Sequence, residues 1–184
     1  MNQQAFPLIQ ATTLSKLYTS ADLVIIDASN SKNARKNYEA EHLDKALFVD
    51  LNTELADIKE DLANGGRHPL PSIEQFSETL SKLGISKNSH VIVYDDKNGS
   101  NAAARFWWML KAVGHEKVQV LDGGFQEAKR LHLPVNSNLE IPTRSEPYPI
   151  ENWKLPTATI SEVEKVAQNK HYIVQPSHFY LFNY

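Results

Sequence analysis

The stretch Val91-Ile92-Val93-Tyr94-Asp95-Asp96, continuing through Ala102-Ala103-Ala104-Arg105-Phe106-Trp107-Trp108 to Leu121-Asp122-Gly123-Gly124-Phe125, decides the fold. Val91 to Tyr94 is an unbroken β-favouring run, short and apolar, of the kind that forms a strand buried on both faces. A polar loop follows, then a helix with an apolar majority, a second buried strand at Val118 to Leu121, and a glycine turn. In an open α/β sheet the loop between such a strand and its helix is where ligands bind.

Working outward, Leu23-Val24-Ile25-Ile26-Asp27 and Ala46-Leu47-Phe48-Val49 are two further strand-like runs. Between them and Val91 lies a helix opened by Ser72 as N-cap, with Gln75 as its capping-box partner and Phe76, Leu80 and Leu83 as its apolar face. Gly84 stops it. Strands alternating with helices imply an α/β fold with a mainly parallel central sheet and helices on both faces. From Pro134 to Pro156 five prolines interrupt a mostly polar segment, which reads as a linker outside the core.

Composition narrows the function. The chain has 184 residues, 41% of them hydrophobic, a net charge of −3 and no cysteine. Its Lys and Arg residues are dispersed, so the basic patch of a nucleic-acid binder is missing. Met1 to Pro7 has neither a basic start nor a long apolar run, so no membrane segment is expected and the chain reads as cytoplasmic. The absence of cysteine rules out disulfides within the chain and, more importantly, any thiol chemistry of its own.

The opening stretch resembles the rhodanese superfamily, specifically the first domain of the two-domain thiosulfate and 3-mercaptopyruvate sulfurtransferases, with its V-V-Y-D, A-x-R-x-W-W and L-x-G-G segments. The likeness extends to Ile25-Ile26-Asp27-Ala28-Ser29, to Tyr38-Glu39-Ala40-Glu41-His42-Leu43 with Ala46 to Asp50, and to His68-Pro69-Leu70-Pro71. The chain departs from the family's G-H-I-P-G-A segment, with Glu41 and Lys45 in place of glycines and Asp44 in place of proline. Losing glycines narrows the conformations open to that loop.

A second, partial copy follows. Thr13-Leu14-Ser15-Lys16-Leu17 is echoed by Thr159-Ile160-Ser161-Glu162-Val163, and Val24 to Ser29 by Tyr172 to Ser177. The expected organisation is therefore a rhodanese-like domain over 1–133, a linker over 134–156, and the start of a second, truncated domain over 157–184. The resemblance puts the family's sulfur-accepting cysteine in the second domain, at the position matching Asp95, which the repeat offset places near about residue 242. The D-A-R segment whose arginine helps bind the anionic substrate is replaced by Gln175-Pro176-Ser177, and the ending Phe179 to Tyr184 also departs from the family. A disrupted reading frame and a natural variant both account for that ending.

Rhodanese-type transfer needs a thiolate to attack a sulfane sulfur and hold it as a persulfide. Asp95 is the non-catalytic equivalent of the active-site loop residue, because a carboxylate is a poor sulfur nucleophile and carries no persulfide. No catalytic residue is expected in this chain. Other chemistries fit less well. An aspartate phosphatase wants an acid where Lys97 stands, and an EF-hand starting at Asp95 has Phe106 where its closing glutamate belongs. Gly123-Gly124 is a tight turn rather than a phosphate cradle, and there is no G-x-S-x-G elbow. His42, His68, His90, His115, His132, His171 and His178 lack zinc-ligand spacing, so no metal or cofactor is expected.

Two functions remain in view. One is the N-terminal portion of a sulfurtransferase, inactive alone, whose intact parent moves sulfur from a small donor. The other is a non-catalytic rhodanese-like binding or regulatory module. Phe106, Trp107, Trp108, Met109, Leu110 and Val113 cover more than one helix face, so some are expected to meet a partner domain unless the linker and Phe179 to Tyr184 cover both tryptophans.

Overall fold

Five short strands line up in parallel in the computed structural model, which describes residues 6–63 and 65–171. They are β1 (Leu8–Ile9), β2 (Leu23–Asp27), β4 (Ala46–Phe48), β5 (His90–Tyr94) and β6 (Val118–Leu121), in the spatial order β1-β6-β5-β2-β4. β3 (His42–Leu43) and β7 (Val135–Asn136) form a separate antiparallel pair. The helices are α1 (Ala11–Leu14), α2 (Ala34–Ala40), α3 (Ile73–Lys82), α4 (Ala102–Ala112), α5 (Gly124–Arg130) and α6 (Ile160–Ala167).

Alternation along the strands splits the core in two. Ile26, Val91 and Val93 pack with Phe76, Phe106 and Met109 of α3 and α4, whereas Ile25, Ile92 and Tyr94 pack with Leu14 and Ala128 of α1 and α5. Both faces of the sheet are thus covered, as the sequence implied. The four sequence-read strands are present, but β4 ends at Phe48, and the two-residue β1 carried too little pattern to be seen.

The α3 helix begins and ends where the sequence places its signals. Ser72 Oγ accepts the Gln75 N–H at 3.1 Å, but the reciprocal half of the capping box is not made: Gln75 Nε2 instead donates to the Thr53 and Ala56 carbonyls. At the other end Gly84, at φ 69°, lets its own N–H and that of Ile85 reach back to the Ser81 and Leu80 carbonyls. A side chain at Gly84 would also stand 2.5 Å from the Thr143 carbonyl oxygen.

That close approach bears on the proline-rich segment, where the structure corrects the sequence reading. Residues 134–156 are largely irregular, yet they belong to the core surface. Tyr148 is buried, Ser81 Oγ donates to the Ser145 carbonyl at 2.6 Å, and Ser77 Oγ donates to the Tyr148 carbonyl at 2.6 Å. Trp153 stacks on both Phe76 and Trp108. Apolar residues spaced without a period, as Tyr148, Ile150 and Trp153 are, give no helix or strand signal, and the prolines masked their packing. The same contact partly covers Trp108, which is half-buried. Trp107 is half-buried, with its indole N–H donating to the Val118 carbonyl.

Of the two glycine replacements, Glu41 is in extended backbone at φ −165°, which any residue adopts, while Lys45 lies at φ 64°. Only Lys45 therefore occupies a conformation that favours glycine. Both segments of the sequence echo fall at helices, but in different register. α1 starts at Ala11, ahead of Thr13, whereas α6 starts directly after Thr159, which caps it in a full box with Glu162. No residue of α6 is buried. The echo at Tyr172 to Ser177 and the ending Phe179 to Tyr184 lie outside the described residues.

Candidate functional site

The register of β2 against β5 pairs Asp27 with Tyr94, so Asp27 and the Asp95-Asp96 pair arrive together at the carboxyl end of the sheet. The chain leaves β2 towards β4 on one side and returns to β5 on the other, which makes this the point where the winding reverses.

Asp95 is fully buried. Its Oδ1 accepts the backbone N–H groups of Lys97 at 2.8 Å and Gly99 at 2.7 Å, and its Oδ2 accepts those of Asn101 and Ala103, both at 3.1 Å. These donors are the loop amides and the first turn of α4, where aligned peptide dipoles favour an anion. Its backbone carbonyl is occupied as well, by the Phe125 N–H. Gly124 makes room for this, since a Cβ there would lie 2.6 Å from the Asp95 carbonyl oxygen. The Gly123-Gly124 turn thus serves close approach of the two loops. With both carboxylate oxygens spent on backbone amides and no surface exposed, Asp95 reaches neither solvent nor a cation.

Beside this loop is a cleft of about 310 Å³, lined by residues including Asp27, Ser29, Asn37, Tyr38, Glu41, Asp96, Phe125 and Lys129. Asp27 is 4% exposed, and its Oδ1 accepts the Ser29 N–H at 2.8 Å. Burial pushes its carboxyl above the ordinary range, the Asp96 charge adds to the rise, and the nearby Ser29 and Tyr94 hydroxyls offset it only in part. Asp96 Oδ1 is buried and without a hydrogen-bond partner among the described residues. Lys129 is ion-paired with Glu41 at the rim.

A third polar group sits on the other side of α4. Arg105 Nε and Nη2 donate to the Leu55 carbonyl, and Nη2 also to those of His68 and Pro69, pinning the His68-Pro69-Leu70-Pro71 run to the helix. Burial lowers its guanidinium below the usual range. His68 Nε2 lies 3.0 Å from Asn52 Oδ1, and its imidazole is pushed down by burial and by the Arg105 charge. The sequence marked Arg105 and His68 as parts of motifs without showing that one holds the other. A lone arginine after a polar loop and a proline-flanked histidine far upstream carry no pairing signal.

The remaining histidines are dispersed. His42 Nδ1 lies 2.6 Å from the Tyr38 carbonyl, His90 Nε2 3.0 Å from Gln119 Oε1, and His115 Nδ1 2.8 Å from the Tyr148 hydroxyl. Among the described residues no group of three His, Cys, Asp or Glu side chains is placed to hold a metal ion, and no helix is long and apolar enough to cross a membrane.

Comparison with known proteins follows the same lines. Residues 10–131 match the family model described as a rhodanese-like domain. The chain is 39% identical over 138 residues to thiosulfate/3-mercaptopyruvate sulfurtransferase 2 of Arabidopsis thaliana, a match covering 72% of this chain and 39% of that protein. It is 34% identical over 154 residues to human 3-mercaptopyruvate sulfurtransferase, covering 80% of this chain and 48% of that one. The crystal structure of a 3-mercaptopyruvate sulfurtransferase from Escherichia coli superimposes with a TM-score of 0.74 at 26% identity, over 90% of this chain and 63% of the other. The chain therefore spans less than half the length of both curated relatives. With its parallel five-stranded sheet and this match, the chain belongs to the rhodanese-like domain family and is homologous to the N-terminal part of thiosulfate and 3-mercaptopyruvate sulfurtransferases.

Proposed function

We propose that this chain is the non-catalytic N-terminal portion of a sulfurtransferase that moves sulfane sulfur from thiosulfate or 3-mercaptopyruvate to a thiophilic acceptor. The observation that carries the proposal is the Asp95 cage. In the rhodanese fold the amides of this loop are suited to stabilising an anionic sulfur nucleophile, and here four of them are satisfied by the chain's own carboxylate. Asp95 is structural in this reading. It ties the end of β5 to the start of α4, and sulfur chemistry belongs to a cysteine in a second domain. Without any cysteine this chain forms no persulfide.

In this reading α6 belongs to the start of that second domain and offers its apolar side to the remainder of it. Ile160, Val163 and Val166 recur on one side of the helix, and none is buried. The experiment is to translate the codons beyond Tyr184 and assay the longer product. A second rhodanese-like unit with a cysteine loop, active with either donor and silenced by Cys→Ser, is the expected result. Absence of such a unit overturns the proposal and leaves the binding-module reading, which the cleft beside Asp96 favours.

A further inference from the structure

We propose that Asn98-Gly99 is a deamidation site whose cyclisation the Asp95 carboxylate holds off in the folded chain. This goes beyond the sulfurtransferase reading and does not depend on it. The loop backbone leaves little choice of residue at the two positions. Asn98 lies at φ 57°, left-handed backbone that asparagine tolerates better than most residues, and Gly99 follows at φ 81°. A Cβ at Gly99 would stand 2.6 Å from Val120 Cγ1 and 3.1 Å from the Leu121 carbonyl oxygen, so the second position takes glycine.

The fold thereby places a reactive dipeptide at the surface. Asn98 is exposed, and the residue after it has no side chain to hinder attack by its own amide nitrogen. In the reaction the Gly99 amide loses its proton, its nitrogen bonds to Asn98 Cγ, and the Cγ–Nδ2 bond breaks to release ammonia. Water then opens the cyclic imide on either side of the nitrogen. One opening leaves aspartate, and the other leaves isoaspartate, with the chain running through the side-chain carbonyl.

The first step needs the Gly99 proton, and that proton is engaged. Gly99 donates its N–H to Oδ1 of the fully buried Asp95 at 2.7 Å. A carboxylate at this distance opposes the negative charge that deprotonation puts on the nitrogen. The rest of the turn is closed as well: Lys97 donates its N–H to the same Oδ1 at 2.8 Å, and the Ser100 N–H and hydroxyl donate to the Lys97 carbonyl at 3.1 and 2.7 Å. Cyclisation therefore waits on local opening of the loop. Its product also damages the loop, because it adds a negative charge close to Asp95, and isoaspartate lengthens the backbone just ahead of Gly99.

The test is peptide mapping by mass spectrometry of the whole chain after incubation at mildly alkaline pH, folded and in concentrated urea. Asn64-Gly65, the other Asn-Gly pair of the sequence, is followed in the same digest as the control for reactivity in urea. Both pairs are expected to convert in urea, with Asn98 about tenfold or more slower in the folded chain than in urea, as expected for a reaction gated by opening. Asp95→Ala, folded by circular dichroism, removes that difference. Trp153→Ala, which loses the stacking on Phe76 and Trp108 and leaves the loop intact, retains it. If Asp95→Ala does not fold, hydrogen exchange of the Gly99 amide in the unaltered chain decides: protection of about tenfold or more supports the proposal, and exchange at the rate of an unstructured peptide overturns it. Equal conversion of Asn98 in the folded chain and in urea, an inert Asn98 in urea where Asn64 converts, protection that survives in folded Asp95→Ala, or protection lost in Trp153→Ala would each overturn it.

Discussion

Asp95 Oδ2 accepts the backbone N–H of Ala103 at 3.1 Å, so one side chain holds the residue that follows β5 against the first turn of α4. The same carboxylate organises the intervening loop through Lys97, Gly99 and Asn101. Removing it orphans buried donors, which is more costly than losing an ordinary hydrogen bond. Asp95→Ala is therefore expected to destabilise the chain by about 3 kcal/mol or more, and Asp95→Asn, which sets an amide donor against two N–H groups, by about 2 kcal/mol. Urea unfolding measures both. A loss below about 1 kcal/mol for the alanine variant contradicts the structural role, being no more than one ordinary hydrogen bond.

Trp153 ties the proline-rich segment to the core by stacking on Phe76 at 5.5 Å and Trp108 at 6.3 Å. Trp153→Ala is expected to cost about 2–3 kcal/mol, less than for a fully buried aromatic because Trp153 is half-buried. It also opens Trp108 to acrylamide quenching. Unchanged quenching would show that the segment does not cover this face in solution.

His115 and Tyr148 supply a pH dependence at the same contact. Burial lowers the His115 imidazole below its ordinary value of 6.5 and pushes the Tyr148 hydroxyl up to about 12. The unfolded chain thus binds more protons at this histidine than the folded chain does, so stability from His115 is present above 6.5 and is lost as pH falls towards the lowered value. His115→Gln is expected to flatten that part of the stability profile. An unaltered slope below 6.5 in the variant refutes the assignment.

His132 and Lys45 adopt left-handed backbone, at φ 56° and 64°. His132 ends α5 as Gly84 ends α3, with the Leu133 N–H returning to the Ala128 carbonyl. His132→Gly is expected to stabilise by about 0.5–1 kcal/mol, the relief of strain being reduced by the freer unfolded chain. Lys45→Gly gains less, because Lys45 Nζ donates to the Tyr18 carbonyl at 3.0 Å. Destabilisation by His132→Gly in urea melts is the contrary result.

What the sequence made legible follows from how local the signal is. Val91 to Tyr94, the Ser72 cap and the Gly84 stop act within a few residues, and the structure has each of them. Half of the capping box failed because Gln75 found tertiary partners at Thr53 and Ala56, which no local rule contains. The burial of Tyr148 and Trp153 was illegible for the same reason. At the site, Asp95 could be located by family resemblance, but its four amide partners depend on a loop path that composition does not specify. The cleft joins Asp27, Asn37, Asp96 and Lys129 from four separate places along the chain, and only folding brings them together.

The central claim, that Asp95 fills the place of a sulfur nucleophile and leaves this chain without transfer chemistry, is tested most directly by an assay for cyanide-dependent thiocyanate formation. The purified 184-residue chain, free of host sulfurtransferase, is given thiosulfate or 3-mercaptopyruvate. The predicted result is no thiocyanate above a protein-free control, and little or none from Asp95→Cys, since a thiol alone does not preorganise a site. Turnover by the unaltered chain, or turnover by Asp95→Cys at about one per second or faster, would contradict it.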